Sequence, residues 1–287
     1  MKKIVVPYDF SHFADSALKF ALELNNVTDS EVTLLHIIEY PLATTFNVTG
    51  EIAPYDDMDK LFTLELIKKA KKDLENMINK AEYSNHNLHY KVMMGNVYDG
   101  ITSHIDEVEP DLIVMGTKGA TGLKEILVGS NAEKVVRTAK CPVITVHTDQ
   151  EVNAIRNIVF PTDLDITAGH VVEKFKEFQQ LFNAKIHLVY VETPHSAISD
   201  GMAIEAMERL AEEYKLNNYQ IHTTKGFQTD EAVLNFAQDI KADMIALATH
   251  SYKGLLHLFV GSVAEDIVNH SNIPVWTMSQ KHVPKHA

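Results

Sequence analysis

Lys3-Ile4-Val5-Val6-Pro7-Tyr8-Asp9 has a counterpart 154 residues later in Asn157-Ile158-Val159-Phe160-Pro161-Thr162-Asp163. Each is a short apolar run closed by a proline, with an aspartate two residues beyond. A second pair of landmarks lies further on. Leu127-Val128-Gly129-Ser130-Asn131-Ala132-Glu133 matches Phe259-Val260-Gly261-Ser262-Val263-Ala264-Glu265, now 132 residues apart. Cys141-Pro142-Val143 and Ile273-Pro274-Val275 keep that spacing of 132. Self-similarity of this kind means that one fold is written twice. The fall from 154 to 132 gives the first half 22 extra residues, most of them expected between Pro41 and Lys80. The boundary falls near Asp149–Ala154, dividing the chain into domains 1–149 and 154–280. This connection is short and polar, with no Gly or Pro, so the halves should sit close together.

Within each half, apolar runs alternate with helical periodicity. The first half should carry strands near 3–8, 32–38, 88–94, 111–116 and 142–147. Between them Ala14/Ala17/Leu18/Ala21 and Ile67/Ala70/Leu74/Met77/Ile78/Ala81 recur at three- and four-residue steps, the mark of one buried helix face. The longer helix should run from about 58 to 82, with Lys68-Lys69 and Lys71-Lys72 on its solvated side. Ser11 is placed to cap the first helix. Ile4-Val5-Val6 and Leu112-Ile113-Val114-Met115 are apolar on both faces, as central parallel strands must be. The pattern predicts a doubly wound parallel α/β sheet, twice over. Ligands of such sheets bind beyond the carboxyl ends of the strands, at the topological switch point.

Composition narrows the partners. The 287 residues suit about two domains, and 45% hydrophobic with 23% charged residues is ordinary for a globular chain. One cysteine, Cys141, excludes an internal disulfide framework and a Cys-cluster metal site. The formal net charge is −13, divided as −7 and −6 between residues 1–150 and 151–287. Neither half offers the basic surface that nucleic-acid phosphates require. Pro7 and Asp9 end the opening apolar run too early for a signal peptide, and no uncharged stretch is long enough to span a membrane. A cytoplasmic protein is expected.

After the strand ending at Met115 comes Gly116-Thr117-Lys118-Gly119-Ala120-Thr121-Gly122, and a helix is expected to begin near Gly129-Ser130-Asn131. The spacing is Gly-x2-Gly-x9-Gly-Ser. Glycines let the backbone approach a bulky anion, and the unpaired N–H groups of a helix start suit phosphate. The Ser130 hydroxyl adds a donor. The run is neither a Walker P-loop nor a dinucleotide fingerprint. The residues alone leave a phosphate cradle and a tight turn equally open.

With these residues in view, the chain resembles the universal stress protein family in its tandem form. Val6-Pro7-Tyr8-Asp9, Leu35-His36-Ile37, the run from Met115 through Gly122 to Val128-Gly129-Ser130, and Cys141-Pro142-Val143 carry the resemblance. It implies in each half a five-stranded parallel sheet of order 3-2-1-4-5, with helices on both faces. It also implies ATP or AMP, with or without Mg2+, between the first and fourth strands. Carried over by position, Pro7, Tyr8 and Asp9 would border the adenosine, with Asp9 and the backbone of Ile37 near the base. Met115, Gly116, Lys118 and Gly119 would line ribose and phosphate. Gly129, Ser130, Asn131 and Ala132 would hold the phosphates. Family members of one domain dimerise through the last strand, so the halves here should form an intramolecular pseudo-dimer, with homodimers of the whole chain also allowed.

The second half keeps Pro161, Thr162, Asp163, Gly261 and Ser262 but departs elsewhere. Ala248 replaces the first glycine, Ser251 the second, and Tyr252 stands where the first half has Ala120. A Cβ at either glycine site narrows the approach of a nucleotide, so this degenerate site is expected to be empty or to hold only adenosine. Histidines are many but form no H-E-x-x-H motif. His250 and His257 read as a solvated or packed pair, and His282 and His286 as tail residues. Cys141 reads as buried packing, and no G-x-S-x-G elbow supports hydrolase chemistry. Three functions stay open: a nucleotide-binding regulator, which the resemblance favours, a slow ATPase or nucleotide-dependent enzyme, and a nucleotide-free stress scaffold.

Overall fold

Ten strands form one continuous sheet in the computed structural model of the chain, which describes residues 1–39, 57–117, 129–147, 152, 155–164, 169–196, 198–249 and 262–279. The first half contributes β1 (Lys3–Pro7), β2 (Glu31–Ile38), β3 (Leu88–Met94), β4 (Leu112–Gly116) and β5 (Val143–Val146). The second contributes β6 (Asn157–Pro161), β7 (Lys185–Glu192), β8 (Tyr219–Lys225), β9 (Met244–Thr249) and β10 (Val275–Ser279). Their order is β3-β2-β1-β4-β5-β10-β9-β6-β7-β8, so each half has the order 3-2-1-4-5. Every pairing is parallel except β5 with β10, which is antiparallel and joins the halves.

Helices cover both faces. α1 (His12–Thr28) and α2 (Asp57–Ile78) lie on one side of the first half, and α3 (Val97–Val108) and α4 (Ser130–Thr138) on the other. In the second half α5 (Gly169–Gln180) and α6 (Asp200–Glu213) continue the first side, and α7 (Thr229–Asp239) and α8 (Ser262–His270) the second. Ser11 caps α1 by accepting the Ala14 N–H at 3.2 Å, and Ala14, Ala17, Leu18 and Ala21 are all buried. Ala70, Leu74 and Met77 form the buried stripe of α2, whose lysines 68, 69, 71 and 72 face solvent. α2 stops four residues short of the sequence expectation, because Lys80 turns extended (ψ 144°) and Ala81–Tyr83 form a separate 3-10 turn. Among the described residues no helix is long and apolar enough to cross a membrane.

The last strands meet as the repeat requires. An edge strand has unpaired backbone groups that need a partner, and β5 and β10 supply one another. One buried cluster runs through both halves on the α1–α5 side, containing Ile144 and Trp276. Of the connection between halves, Val152 and Ile155 are buried, and the Val152 N–H donates to Glu23 Oε2 at 2.5 Å. The rest of the boundary at 149–154, and Pro41–Asp56, lie outside the described residues.

Candidate functional site

β1 pairs with β2 on one side and β4 on the other. After β1 the chain turns to α1 on one face. After β4 it leads to α4 on the opposite face. The carboxyl ends of β1 and β4 are therefore the switch point of the first half, where diverging connections leave a crevice. Pro7 ends β1 and Met115-Gly116 end β4. Ile37 lies near the end of β2, half-buried on the α3–α4 side.

The crossing from β4 to α4 is anchored at its base. The Thr117 N–H donates to Val146 O at 3.2 Å, and the Gly129 N–H donates to Thr117 O at 2.6 Å. These bonds set the start of α4 beside the end of β4. Gly129 is the N-cap of α4 and provides no side-chain hydrogen bond to the helix. α1 and α3 differ, since Ser11 and Asn96 accept N–H groups of their first turns. The N-cap of α4 thus offers its first N–H groups no side-chain acceptor. Ala132 is buried and Asn131 half-exposed within that first turn. Ser130 is helical, but its side chain lies outside the description, as do Lys118 and Gly119.

Four sequence-assigned residues differ in part from the expectation. Gly116 and Gly129 read by spacing as glycines that admit a bulky anion, and neither does so through a left-handed backbone: Gly129 has φ −59° and Gly116 continues β4 with no positive φ. What Gly116 admits is the protein itself, for a Cβ there would lie 2.7 Å from the backbone of Phe13. Tyr8 sends its side chain away from the crevice. It is 5% exposed in the core of the α1–α2 side, and its hydroxyl donates to Asp15 Oδ1 at 2.5 Å. Burial first, and then the Asp15 carboxylate, push the phenol far above its usual pKa. Only the Tyr8 backbone can border the crevice. Asp9 is exposed and takes a turn role, accepting the Ser11 N–H at 3.0 Å.

Thr117 was not singled out by sequence. Its hydroxyl is buried with no hydrogen-bond partner among the described residues, and so is that of Thr249, its counterpart 132 residues on. A buried unpaired hydroxyl is uncommon, and here it occurs at the end of the fourth strand in both halves. Asp111 was missed too. Its Oδ2 accepts the N–H groups of Lys2 (2.6 Å) and Lys3 (3.0 Å), pinning the start of β1 to β4. Asp243 repeats this with Arg156 (2.8 Å) and Asn157 (2.9 Å). Burial raises the Asp111 carboxyl, but those N–H groups outweigh it and hold its pKa below the usual value.

In the second half, Pro161 ends β6 and the Thr162 N–H donates to Val189 O at 2.9 Å, as Tyr8 does to Leu35 O. Asp163 is exposed. Ala248 fills the position of Gly116 within β9. Ser262 opens α8, with its side chain outside the description, and Gly261, Ser251, Tyr252, His250, His257, His282 and His286 lie outside the described residues. The two α4-type helices touch across the seam through Glu133 and Glu265, again counterparts at 132. Burial, and then the Glu133 charge, raise the pKa of Glu265. Cys141 is buried, and burial lifts its thiol to about 12. Among the described residues no group of three or more His, Cys, Asp or Glu could hold a metal ion.

The fold defines a tandem α/β protein with a topological switch point in each half. The model of the Universal stress protein family matches residues 1–147 and again 154–278, and the chain belongs to that family. Universal stress protein MJ0531 of Methanocaldococcus jannaschii is 33% identical over 145 residues, covering 50% of this chain and 81% of that protein. Universal stress protein Slr1230 of Synechocystis is 22% identical along 96% of this chain and 99% of its own. The crystal structure of a universal stress protein from Archaeoglobus fulgidus superposes with a TM-score of 0.75 at 21% identity, covering 97% of this chain and 98% of that one. That likeness establishes the shared fold.

Proposed function

We propose that the chain is a regulatory protein that binds an adenine nucleotide, ATP or AMP, at the carboxyl ends of β1 and β4 in its first half. One observation carries this reading. α4 begins at the switch point on a glycine cap, which itself offers no side chain to the N–H groups that an anion would take. A helix N-terminus favours phosphate through those donors and through its dipole. Gly129, Ser130, Asn131 and Ala132 would hold the phosphates. Met115 and Gly116, continuing into Lys118 and Gly119, would border ribose and phosphate. The adenine would lie toward Asp9 and Ile37, bounded by Pro7 and the backbone of Tyr8. The buried Thr117 hydroxyl at the end of β4 suits a site completed by a polar guest or water.

Binding is favoured over catalysis by the state of Asp9. Its carboxylate accepts the Ser11 N–H, which fixes it at the turn and suits a binding role. Mass spectrometry of small molecules released from freshly purified protein tests the reading. An adenine nucleotide near one per chain is expected, with negligible steady-state ATP turnover. Protein that carries none and takes up none when ATP is supplied would refute it.

A further inference from the structure

On the other side of the first half's sheet, α1 and α2 enclose an open groove of about 840 Å3. It is separate from the cradle. His36 and Ile38 of β2 face the groove, while Ile37 between them faces the opposite side. Buried Tyr8, Ile38, Ala70 and Met77 make its apolar floor. Phe10 adds a wall, 41% exposed, set edge-on to the rings of Tyr8 (5.2 Å) and His36 (5.0 Å). The left-handed backbone that presents it (φ 63°) belongs to the turn itself, since its counterpart Leu164 has φ 68°.

In the second half a tyrosine reaches the corresponding position. The counterpart of Asp15 is Gly169, and a Cβ there would meet the Tyr214 hydroxyl at 2.7 Å. Tyr214 stands five residues before β8, as Tyr83 stands five before β3. In the first half Asp15 is engaged by the Tyr8 hydroxyl instead, and the groove stays open between them.

Its charges select a ligand. Lys19, Lys69 and Lys80 line an apolar trough on a chain of net charge −13. Lys69 has no ion-pair partner among the described residues, and Lys80 reaches Glu82 only at 3.7 Å, with both side chains more than half exposed. Asp73 on the same rim and Asp15, which also lines the groove, disfavour a second negative charge, and this sets a monoanion apart from a polyphosphate. The volume lies within the roughly 300–1,000 Å3 typical of small-molecule sites. We propose that this groove binds a small amphipathic monoanion, an acyl or aryl carboxylate, with its apolar body on Tyr8, Phe10, Ile38 and Met77 and its carboxylate toward Lys69 and Lys80. This assignment is independent of nucleotide binding.

The test uses the full chain with 1-anilinonaphthalene-8-sulfonate as a fluorescent probe and decanoate as competitor. One saturable dye site per chain is expected, displaced by decanoate and unaffected by ATP. Asn76→Phe, which fills the groove from an exposed helix position, should weaken dye binding about tenfold or more. Lys69→Glu with Lys80→Glu, both exposed and so harmless to folding, should weaken it about tenfold at low salt and less at high salt. Exposed Phe227, Leu61 and Phe62 remain intact in all these proteins, so unchanged dye binding in the variants would assign the signal to them and overturn the proposal. Failure of decanoate to displace the dye, or displacement by ATP, would overturn it equally.

Discussion

Ile144 and Trp276 face each other across the antiparallel pair of β5 and β10, and each is the other's counterpart in the repeat. The pseudo-two-fold axis relating the halves therefore passes between them. Its neighbours obey the same symmetry. Thr145 Oγ1 donates to Val275 O at 3.4 Å, and Thr277 Oγ1 donates to Val143 O at 3.2 Å. Trp276 is fully buried and packs on Phe175, with ring centroids 5.6 Å apart.

A charge on this axis has nowhere to go. Ile144→Lys should destabilise the chain by about 3 kcal/mol or more, because an unpaired ammonium would enter a dry seam. A thermal melt followed by circular dichroism should show a lower midpoint, with the halves unfolding in separate transitions. An unchanged melt would mean that the seam is not buried.

Glu265 and Glu133 bring like charges together across the same seam. The Glu265 pKa is raised in the fold, so its ionised form costs stability above about pH 4.5, and that cost vanishes below it. Glu265→Gln should therefore stabilise the protein at pH 7 by a few tenths to about 1 kcal/mol. The gain should disappear near pH 4. Urea unfolding at the two pH values checks both the sign and the window.

Acid should act most strongly through β7 and β8. His187 Nδ1 lies 3.0 Å from His222 Nε2, and His187 Nε2 lies 3.2 Å from Asn157 Oδ1. Burial first, and then its histidine neighbour, lower His187 to about 4. A depressed folded pKa means that stability present above pH 6.5 is lost as pH falls toward 4, since the unfolded chain binds the proton first. His187→Phe should flatten the dependence of unfolding free energy on pH across that window. An equal slope in both proteins would contradict the assignment.

Thr117 offers a test of the crevice in the absence of ligand. Thr117→Val removes a buried hydroxyl that has no partner among the described residues and keeps its shape, so stability should hold or rise by up to about 1 kcal/mol. The same should apply to Thr249→Val. Destabilisation of about 1 kcal/mol or more at either site would reveal a partner that the fold alone does not provide.

Much of this architecture can be read from the residues, and the reasons are local. Ile4-Val5-Val6 and Leu112–Met115 are apolar on both faces, which only a covered parallel strand tolerates. The 132-residue offset carries Val143–Val146 onto Val275–Met278, so the edges that meet are already written as equals. What escapes sequence reading depends on long-range geometry. Asp111 binds the backbone of Lys2 and Lys3 more than a hundred residues away, and nothing in its own neighbourhood announces this. The strand pattern gives the burial of Tyr8 but not the side of the sheet, which decides between cradle and groove. Gly116 reads as a ligand glycine by spacing, whereas the backbone of Phe13 occupies the room it leaves.

One nucleotide per chain is proposed to bind in the Gly129 half. Calorimetric titration of the full chain with ATP measures it directly, beside the variant Gly129→Val, whose side chain would stand at the N-terminus of α4. One site per chain is predicted, abolished in the variant while the melt shows it folded. Two equal sites would contradict the asymmetry between halves. Undiminished affinity in Gly129→Val, or no binding to the unaltered protein, would contradict the site itself.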